Sequence, residues 1–256
     1  MKIRLLTIVV LLTAISHAFA QEYKVAKATG RLLIKLPSVT IEGYDGKEII
    51  FTSEDKKYAD ERAAGLRLLS GTGVVDNTNI GINVADKGTT IEVNEVASNI
   101  GKVKIKVPRG VSVSYNWQNM INAGKVIIKN ITKEIDISVR TNSVELEDIT
   151  GPVTVNSIYG NVKAKFKDKI AGPITISSMY ATVDVAVPGA TKANLKLNTT
   201  HGNVFASSDL NIELKKRAQD DEMVEYTGNI AGTLNGGGTE FNLTSTFGKV
   251  YLRKAI

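Results

Sequence analysis

With 256 residues, no cysteine and two histidines, the chain has the length of one large β domain or two small ones and no disulfide framework, and a zinc site would need carboxylates for almost every ligand. The net charge of +6 includes Lys2 and Arg4 of the extreme N-terminus and is +4 without them. An excess of that size does not point to nucleic acid.

The chain opens MKIRLLTIVVLLTAISHAFAQEY. Lys2 and Arg4 precede an apolar run from Leu5 to Ile15, and Ala18-Phe19-Ala20 stands before Gln21, which reads as a secretory signal peptide over residues 1–20 cleaved between Ala20 and Gln21. The apolar run is about half of the ~20 residues a helical span requires, and no later stretch is long enough, so no transmembrane span is expected after removal of the signal. Residues 21–100 are expected to form N-terminal strands and a cap continuous with the fold of residues 101–256. RLLIKLPSVTIEGYDGKEIIF reads as strands around a turn at Gly43–Gly46, and NIGINVADKGTTIEVNEV as a hairpin around Asp86-Lys87-Gly88. Residues 53–70, between them, fit a short helix or a charged loop.

From residue 101 to 256 the chain repeats. GKVKI from Gly101, GKVII from Gly124, NSVEL from Asn142, GNVKA from Gly160, ATVDV from Ala181, GNVFA from Gly202, GNIAG from Gly228 and GKVYL from Gly248 recur at separations of 18 to 26 residues. The second position after each corner residue is always Val or Ile and the fourth is apolar or Gly, as inward-facing strand positions with a period of two require. The position between them is mostly polar. A second alternating strand precedes five of the corners, in Ile135–Ile137, Val153–Val155, Ile174–Ile176, Leu195–Leu197 and Phe241–Leu243. Repeats of this kind stack with each turn of chain about 4.8 Å above the last. The expected fold is therefore all-β, a β-solenoid with rungs of about 20 residues, eight of which would make a rod on the order of 35 Å long.

The corners carry a bulky residue followed by glycine or asparagine. Tyr159, Tyr180, His201 and Phe247 fill the first position, with Thr141. Gly101, Gly124, Asn142, Gly160, Gly202 and Gly248 fill the second, which suits a backbone with positive φ. Ala181 departs from the pattern and is expected to make a different turn.

His201, the one histidine left after the signal peptide, is the obvious acid–base candidate. Its column-mates Thr141, Tyr159, Tyr180 and Phe247 do not share that chemistry, so it reads as a structural corner. Glu145, Glu147, Asp148, Asp168 and Asp184 lie on or near adjacent rungs, where a carboxylate pair would serve glycoside hydrolysis, but neighbouring Lys163 and the alternation of sign favour cross-rung ion pairing. Asp220-Asp221-Glu222 lacks the spacing of a calcium loop. NGGGTE at 235–240 lacks the Lys-Ser/Thr of a phosphate cradle and reads as a turn. No cofactor, metal site or catalytic group is expected. Lys102, Lys104, Lys106, Lys125 and Lys129 form the most patch-like feature, a basic stripe able to meet an anionic envelope surface.

The signal peptide, VTIEGYDGKEI, IKVPRGVSVSY at 105–115 and the successive [Y/H/F]-G-x-V strings resemble the exported β-strand-repeat proteins of bacteria labelled putative adhesins, a Bacteroidetes-type family. The resemblance implies a single-stranded parallel β-helix and carries no catalytic motif. The function expected is that of a non-enzymatic, adhesin-like structural or interaction protein of the cell envelope, periplasmic or on the outer surface, meeting an envelope glycan or protein. Two other readings stay open: a polysaccharide lyase or hydrolase on the same scaffold, and a periplasmic partner in envelope signalling.

Overall fold

The computed structural model describes residues 22–53, 61–63, 65–98, 100–121, 123–215 and 228–255. The expected signal peptide with its Ala20–Gln21 cleavage site, and Asp220–Glu222, lie outside the described residues.

Almost everything described is strand, turn or bend. The N-terminal part supplies β1 (Glu22–Ala26), β2 (Thr29–Lys35), β3 (Val39–Tyr44) and β4 (Glu48–Ser53), one 3-10 turn at Glu61–Ala63, and then β5 (Ile82–Asp86), β6 (Thr90–Glu95) and β7 (Val103–Pro108). Strands then come in pairs: β8 (Gly110–Trp117) with β9 (Lys125–Lys129), β10 (Ile135–Val139) with β11 (Ser143–Ile149), and β12 (Val153–Ser157) with β13 (Val162–Phe166). β14 (Ile174–Ser178) precedes β15 (Val183–Val187), and β16 (Ala193–Thr199) precedes β17 (Val204–Ala206). β18 (Ile212–Leu214) and β19 (Gly228–Leu234) come before the last pair, β20 (Thr239–Ser245) and β21 (Val250–Lys254).

These strands form two large mixed sheets. The first has ten, in the order β1-β4-β7-β3-β9-β11-β13-β15-β21-β17, and the second eleven, in the order β18-β19-β16-β20-β14-β12-β10-β8-β2-β6-β5. Across the middle of both, neighbours are parallel and in register: Val126, Val144, Val162 and Val183 align in the first sheet, and Ile135, Val153 and Ile174 in the second. Apolar residues at every second position, most of them β-branched, shape these strands, and their apolar sides meet in one cluster drawn from both sheets. Ile128, Ile137, Val155, Ile176 and Val185 have no exposed surface. Each such side chain contributes about 1.5–3 kcal/mol relative to exposure.

The order of the layers differs from the order of the chain. β20 and β21 sit inside β16 and β17, so β14 pairs with β20 and β15 with β21, while β16 and β17 lie beyond them. At the other end β2 and β3 enter between β6/β7 and β8/β9. The strands flanking the Gly43–Gly46 turn are consequently not neighbours, because β7 lies between β3 and β4. The Gly228 string is not a corner followed by an inward strand of the first sheet. It is β19, antiparallel to β16 in the second sheet. The hairpin around Asp86–Gly88 is present as antiparallel β5 and β6, with Gly88 at φ 78°. NGGGTE is the turn expected of it, with Asn235, Gly236 and Gly237 at positive φ.

The corner glycines serve a different purpose from the one their sequence suggests. Gly124, Gly160, Gly202 and Gly248 are absent from the positive-φ positions. A Cβ at Gly160 would stand 1.8 Å from the Asn142 carbonyl oxygen, one at Gly202 1.9 Å from that of Gly248, and one at Gly248 2.4 Å from that of Ala181. Glycine is required there because the backbone of the neighbouring layer comes too close for a side chain. Asn142 is also not at positive φ, and its buried amide reaches across to donate to the Pro37 carbonyl at 2.7 Å. Ala181 makes the same turn as its neighbours: its N–H bonds Ser178 Oγ as those of Gly160 and Gly248 bond Ser157 and Ser245.

Candidate interaction surface

Three residues before the corner residues Gly160, Ala181, Gly202 and Gly248 the second sheet ends in a hydroxyl: Ser157, Ser178, Thr199 and Ser245 are buried and mutually in register. Ser157 Oγ donates to the Gly160 carbonyl at 2.8 Å and Ser245 Oγ to that of Ala181 at 2.8 Å, while Thr199 Oγ1 donates to Gly248 at 3.1 Å. These bonds satisfy corner carbonyls that the turn leaves without strand partners. The Ser-x-[Tyr/Phe]-Gly spacing is written in the sequence but escapes a reading confined to the apolar columns.

The hydroxyl column fixes the corner, and the corner sets out a ladder of rings. Tyr159 stacks on Tyr180 with centroids 5.0 Å apart, Tyr180 on Phe247 at 5.1 Å, and Phe247 on His201 at 4.9 Å, all within 9° of coplanar. Spatial order places Phe247 between Tyr180 and His201, which chain order does not. Tyr159, Tyr180 and Phe247 are each 49% exposed. Their faces cover one another, so the ladder shows solvent its ring edges, and Met179 extends the apolar ridge. His201 is the terminal ring of this stack. Among the described residues no acid or amide partners its imidazole, which stacks on Phe247 while its backbone N–H donates to the Thr246 carbonyl.

The outer face of the first sheet is a charge ladder. Read across the strands in spatial order, Lys104 and Lys106 on β7 are followed by Glu42 on β3, Lys125 and Lys129 on β9, and Glu145 and Glu147 on β11. Lys163 and Lys165 on β13, Asp184 on β15 and Arg253 on β21 continue the alternation. Lys104 pairs with Glu42 at 2.7 Å, Lys129 with Glu147 at 2.6 Å, Lys125 with Glu145, and Arg253 with Asp184 at 2.8 Å. Four of the five stripe lysines, Lys104, Lys106, Lys125 and Lys129, therefore lie on one sheet, with Lys102 just ahead of β7, but the stripe is not continuous: β3 enters it and sets Glu42 between its two halves. The hydrogen bond from Lys104 holds the Glu42 carboxyl below its ordinary value, and that from Lys125 does the same to Glu145.

The five acids considered for hydrolysis divide accordingly. Glu145, Glu147 and Asp184 are ion-paired, and Asp148 and Asp168 occupy positive-φ bulge and turn positions. A shallow depression of about 340 Å³ is lined by Glu145, Glu147, Asp148, Lys163 and Lys165. A general acid for glycoside hydrolysis needs its carboxyl raised, whereas Glu145 is shifted the other way. Among the described residues the carboxyl that burial raises is that of Glu95, on β6 of the second sheet. Among the described residues no group of three or more His, Cys, Asp or Glu is placed to hold a metal ion, and no helix is long and apolar enough to cross a membrane.

No protein-family model matches the chain, and no curated protein does. Among solved structures it is similar to one described as a putative cell adhesion protein from Clostridium sporogenes, with 10% identity and a TM-score of 0.47 over 93% of this chain and 100% of that one. It is also similar to one described as a putative adhesin from Bacteroides fragilis, with 9% identity and a TM-score of 0.29 over 93% and 98% of the two chains.

Proposed function

We propose that the chain is an exported β-solenoid without enzymatic activity, an adhesin-like structural and interaction protein of the bacterial cell envelope in which residues 21–100 cap the repeats of 101–256. The observation that carries this reading is the regularity of its outward surfaces. A half-exposed aromatic ridge crosses four layers and a strand-by-strand charge ladder runs from β7 to β21, and three of the five acids considered for a hydrolase, Glu145, Glu147 and Asp184, are spent on cations within that ladder.

The test is capture from the native envelope by the exported chain, alone and with Lys102, Lys104, Lys106, Lys125 and Lys129 changed to Gln. A specific envelope component retained by the unaltered chain is expected. Turnover of a polysaccharide that disappears in Glu145→Gln would replace this reading with the hydrolase. N-terminal sequencing of the exported protein is expected to begin at Gln21.

A further inference from the structure

We propose that the outer face of the second sheet, along its border with the aromatic ridge, binds a linear uncharged glycan; this names a ligand class for the interaction surface proposed above and rests on that reading. The outward column nearest the corner consists, on six consecutive strands, of Asn116, Ser138, Asn156, Ser177, Thr244 and Asn198, all in register. Asn229 on β19 stands opposite Asn198 and extends it. In the next outward column Thr154, Thr175 and Asn242 lie side by side on β12, β14 and β20. Charges stand at the margins: Lys35 beyond the Asn116 end, Arg140 two residues past Ser138, Asp136, which is paired with Arg31 at 3.0 Å, Lys196 and Glu240.

This contrasts with the first sheet, where every strand from β7 to β21 carries an outward charge. A column of amides and hydroxyls provides donors and acceptors at the roughly 4.8 Å spacing of the strands, the chemistry that meets a polymer of uncharged hydroxyls. The column is also not closed on itself. Ser177 Oγ donates to Asn156 Oδ1 at 2.8 Å, and Gln118 Nε2 donates to Ser138 Oγ at 2.9 Å and Asn116 Oδ1 at 3.3 Å. The side chains of Thr244, Asn229, Thr154, Thr175 and Asn242 have no hydrogen bond among the described residues, and Asn198 Oδ1 is buried without a donor. Met179 and the edges of Tyr180 and Phe247 border the column and give the C–H faces of sugar rings an apolar contact. Chain order conceals the column, since Thr244 and Asn198 exchange places between sequence and structure.

The experiment is affinity electrophoresis of the exported chain in gels holding hydroxyethylcellulose, mannan or dextran, with polygalacturonate as the anionic comparison. Retardation by at least one uncharged polymer is expected, unchanged in about 0.5 M NaCl. It is expected to weaken by about tenfold or more in the combined variant Asn156→Ala, Ser177→Ala, Thr244→Ala. Thr175→Arg, which sets bulk and charge in the patch without removing a hydrogen bond of the fold, is expected to weaken it too. Lys163→Gln with Lys165→Gln, on the other sheet, is expected to leave it unchanged. Circular dichroism melts establish that each variant is folded. Retardation by polygalacturonate alone, no retardation by any polymer, or a dimer in sedimentation that only the column variants dissociate would overturn the proposal, the last by showing that a second copy covers the face. Envelope capture that persists while all three uncharged polymers fail would remove this inference and leave the proposed function standing.

Discussion

Gly160→Ala and Gly160→Asn separate two reasons for a corner glycine. If the backbone there needed positive φ, asparagine would be tolerated better than alanine, because its side chain tolerates the left-handed region. The structure gives the opposite reason. The Cβ of either residue would lie 1.8 Å from the Asn142 carbonyl oxygen, about 1.2 Å inside the 3.0 Å limit below which something must shift. The obstacle is backbone held in the next layer, so it yields only by parting the layers. Overpacking of this kind costs about 1–3 kcal/mol. Weakening the Ser157 hydroxyl's bonds to the Gly160 N–H and carbonyl adds about 1 kcal/mol. The expected total of about 2–4 kcal/mol corresponds to a fall in Tm of about 4–16 °C for a chain of this size, with asparagine at least as damaging as alanine. Ala181→Gly, at the equivalent corner, should cost about 1 kcal/mol or less. Thermal melts followed by circular dichroism measure all three. A Gly160→Asn protein melting within a degree or two of the parent, with Gly160→Ala well below it, would refute the close-approach argument.

The same geometry sets further outcomes. Phe247→Ala removes the ring between Tyr180 and His201 and should cost about 1–3 kcal/mol in urea unfolding, much of it recovered in Phe247→Tyr; equal losses in the two would show that stacking is not what the position supplies. Ser245→Ala leaves the Ala181 carbonyl and the Gly248 N–H without their buried partner, an expected loss of about 2 kcal/mol, and an unchanged urea midpoint would contradict it. Glu42→Lys places a cation among Lys104, Lys106 and Lys129 and should cost about 1 kcal/mol at low ionic strength, a figure already reduced for the exposure of the pair, with most of it regained in high salt; a salt-independent loss would point to packing instead. The hydrogen-bonded Glu42 and Glu145 lie below their ordinary value of 4.5, so the stability they supply is complete above that pH and is lost as the pH falls through their folded values. Glu95, raised by burial, acts with the opposite sign, its contribution being present at low pH and lost as the pH rises through its folded value. Glu95→Gln is therefore expected to raise the urea midpoint near neutral pH more than at about pH 4, and an equal change at both would remove Glu95 from the acid response.

The inward columns could be read directly. Val126, Val144, Val162 and Val183 recur at fixed offsets from a corner, and burial on one face of a strand leaves little choice at such positions. The ring column was visible for the same reason, since Tyr159, Tyr180, His201 and Phe247 hold one offset. Other features were misread because a single sequence does not show which backbone lies beside which. Gly160 has the appearance of a turn glycine, and only the Asn142 carbonyl beside it reveals why a side chain is forbidden. Gly228 satisfies the repeat pattern by itself, yet β19 pairs antiparallel with β16 and belongs to the second sheet.

The sequence by itself determined that the chain is all-β, where most strands begin and end, which side chains face inward, and that His201 belongs with aromatic residues at a corner. It did so because a period of two with β-branched residues is a local property, independent of what lies above or below. The tertiary structure decided the order of the layers. Every repeat presents the same apolar columns, so inward packing accepts nearly any order, and the difference lies in the outward contacts between strands distant in sequence. In chain order β7 would lie against β9 and bring Lys106 beside Lys129; with β3 between them Glu42 separates the two, and with β21 beside β15 Arg253 meets Asp184. The same ordering places Thr244 between Ser177 and Asn198, and so creates the uncharged column on the other face.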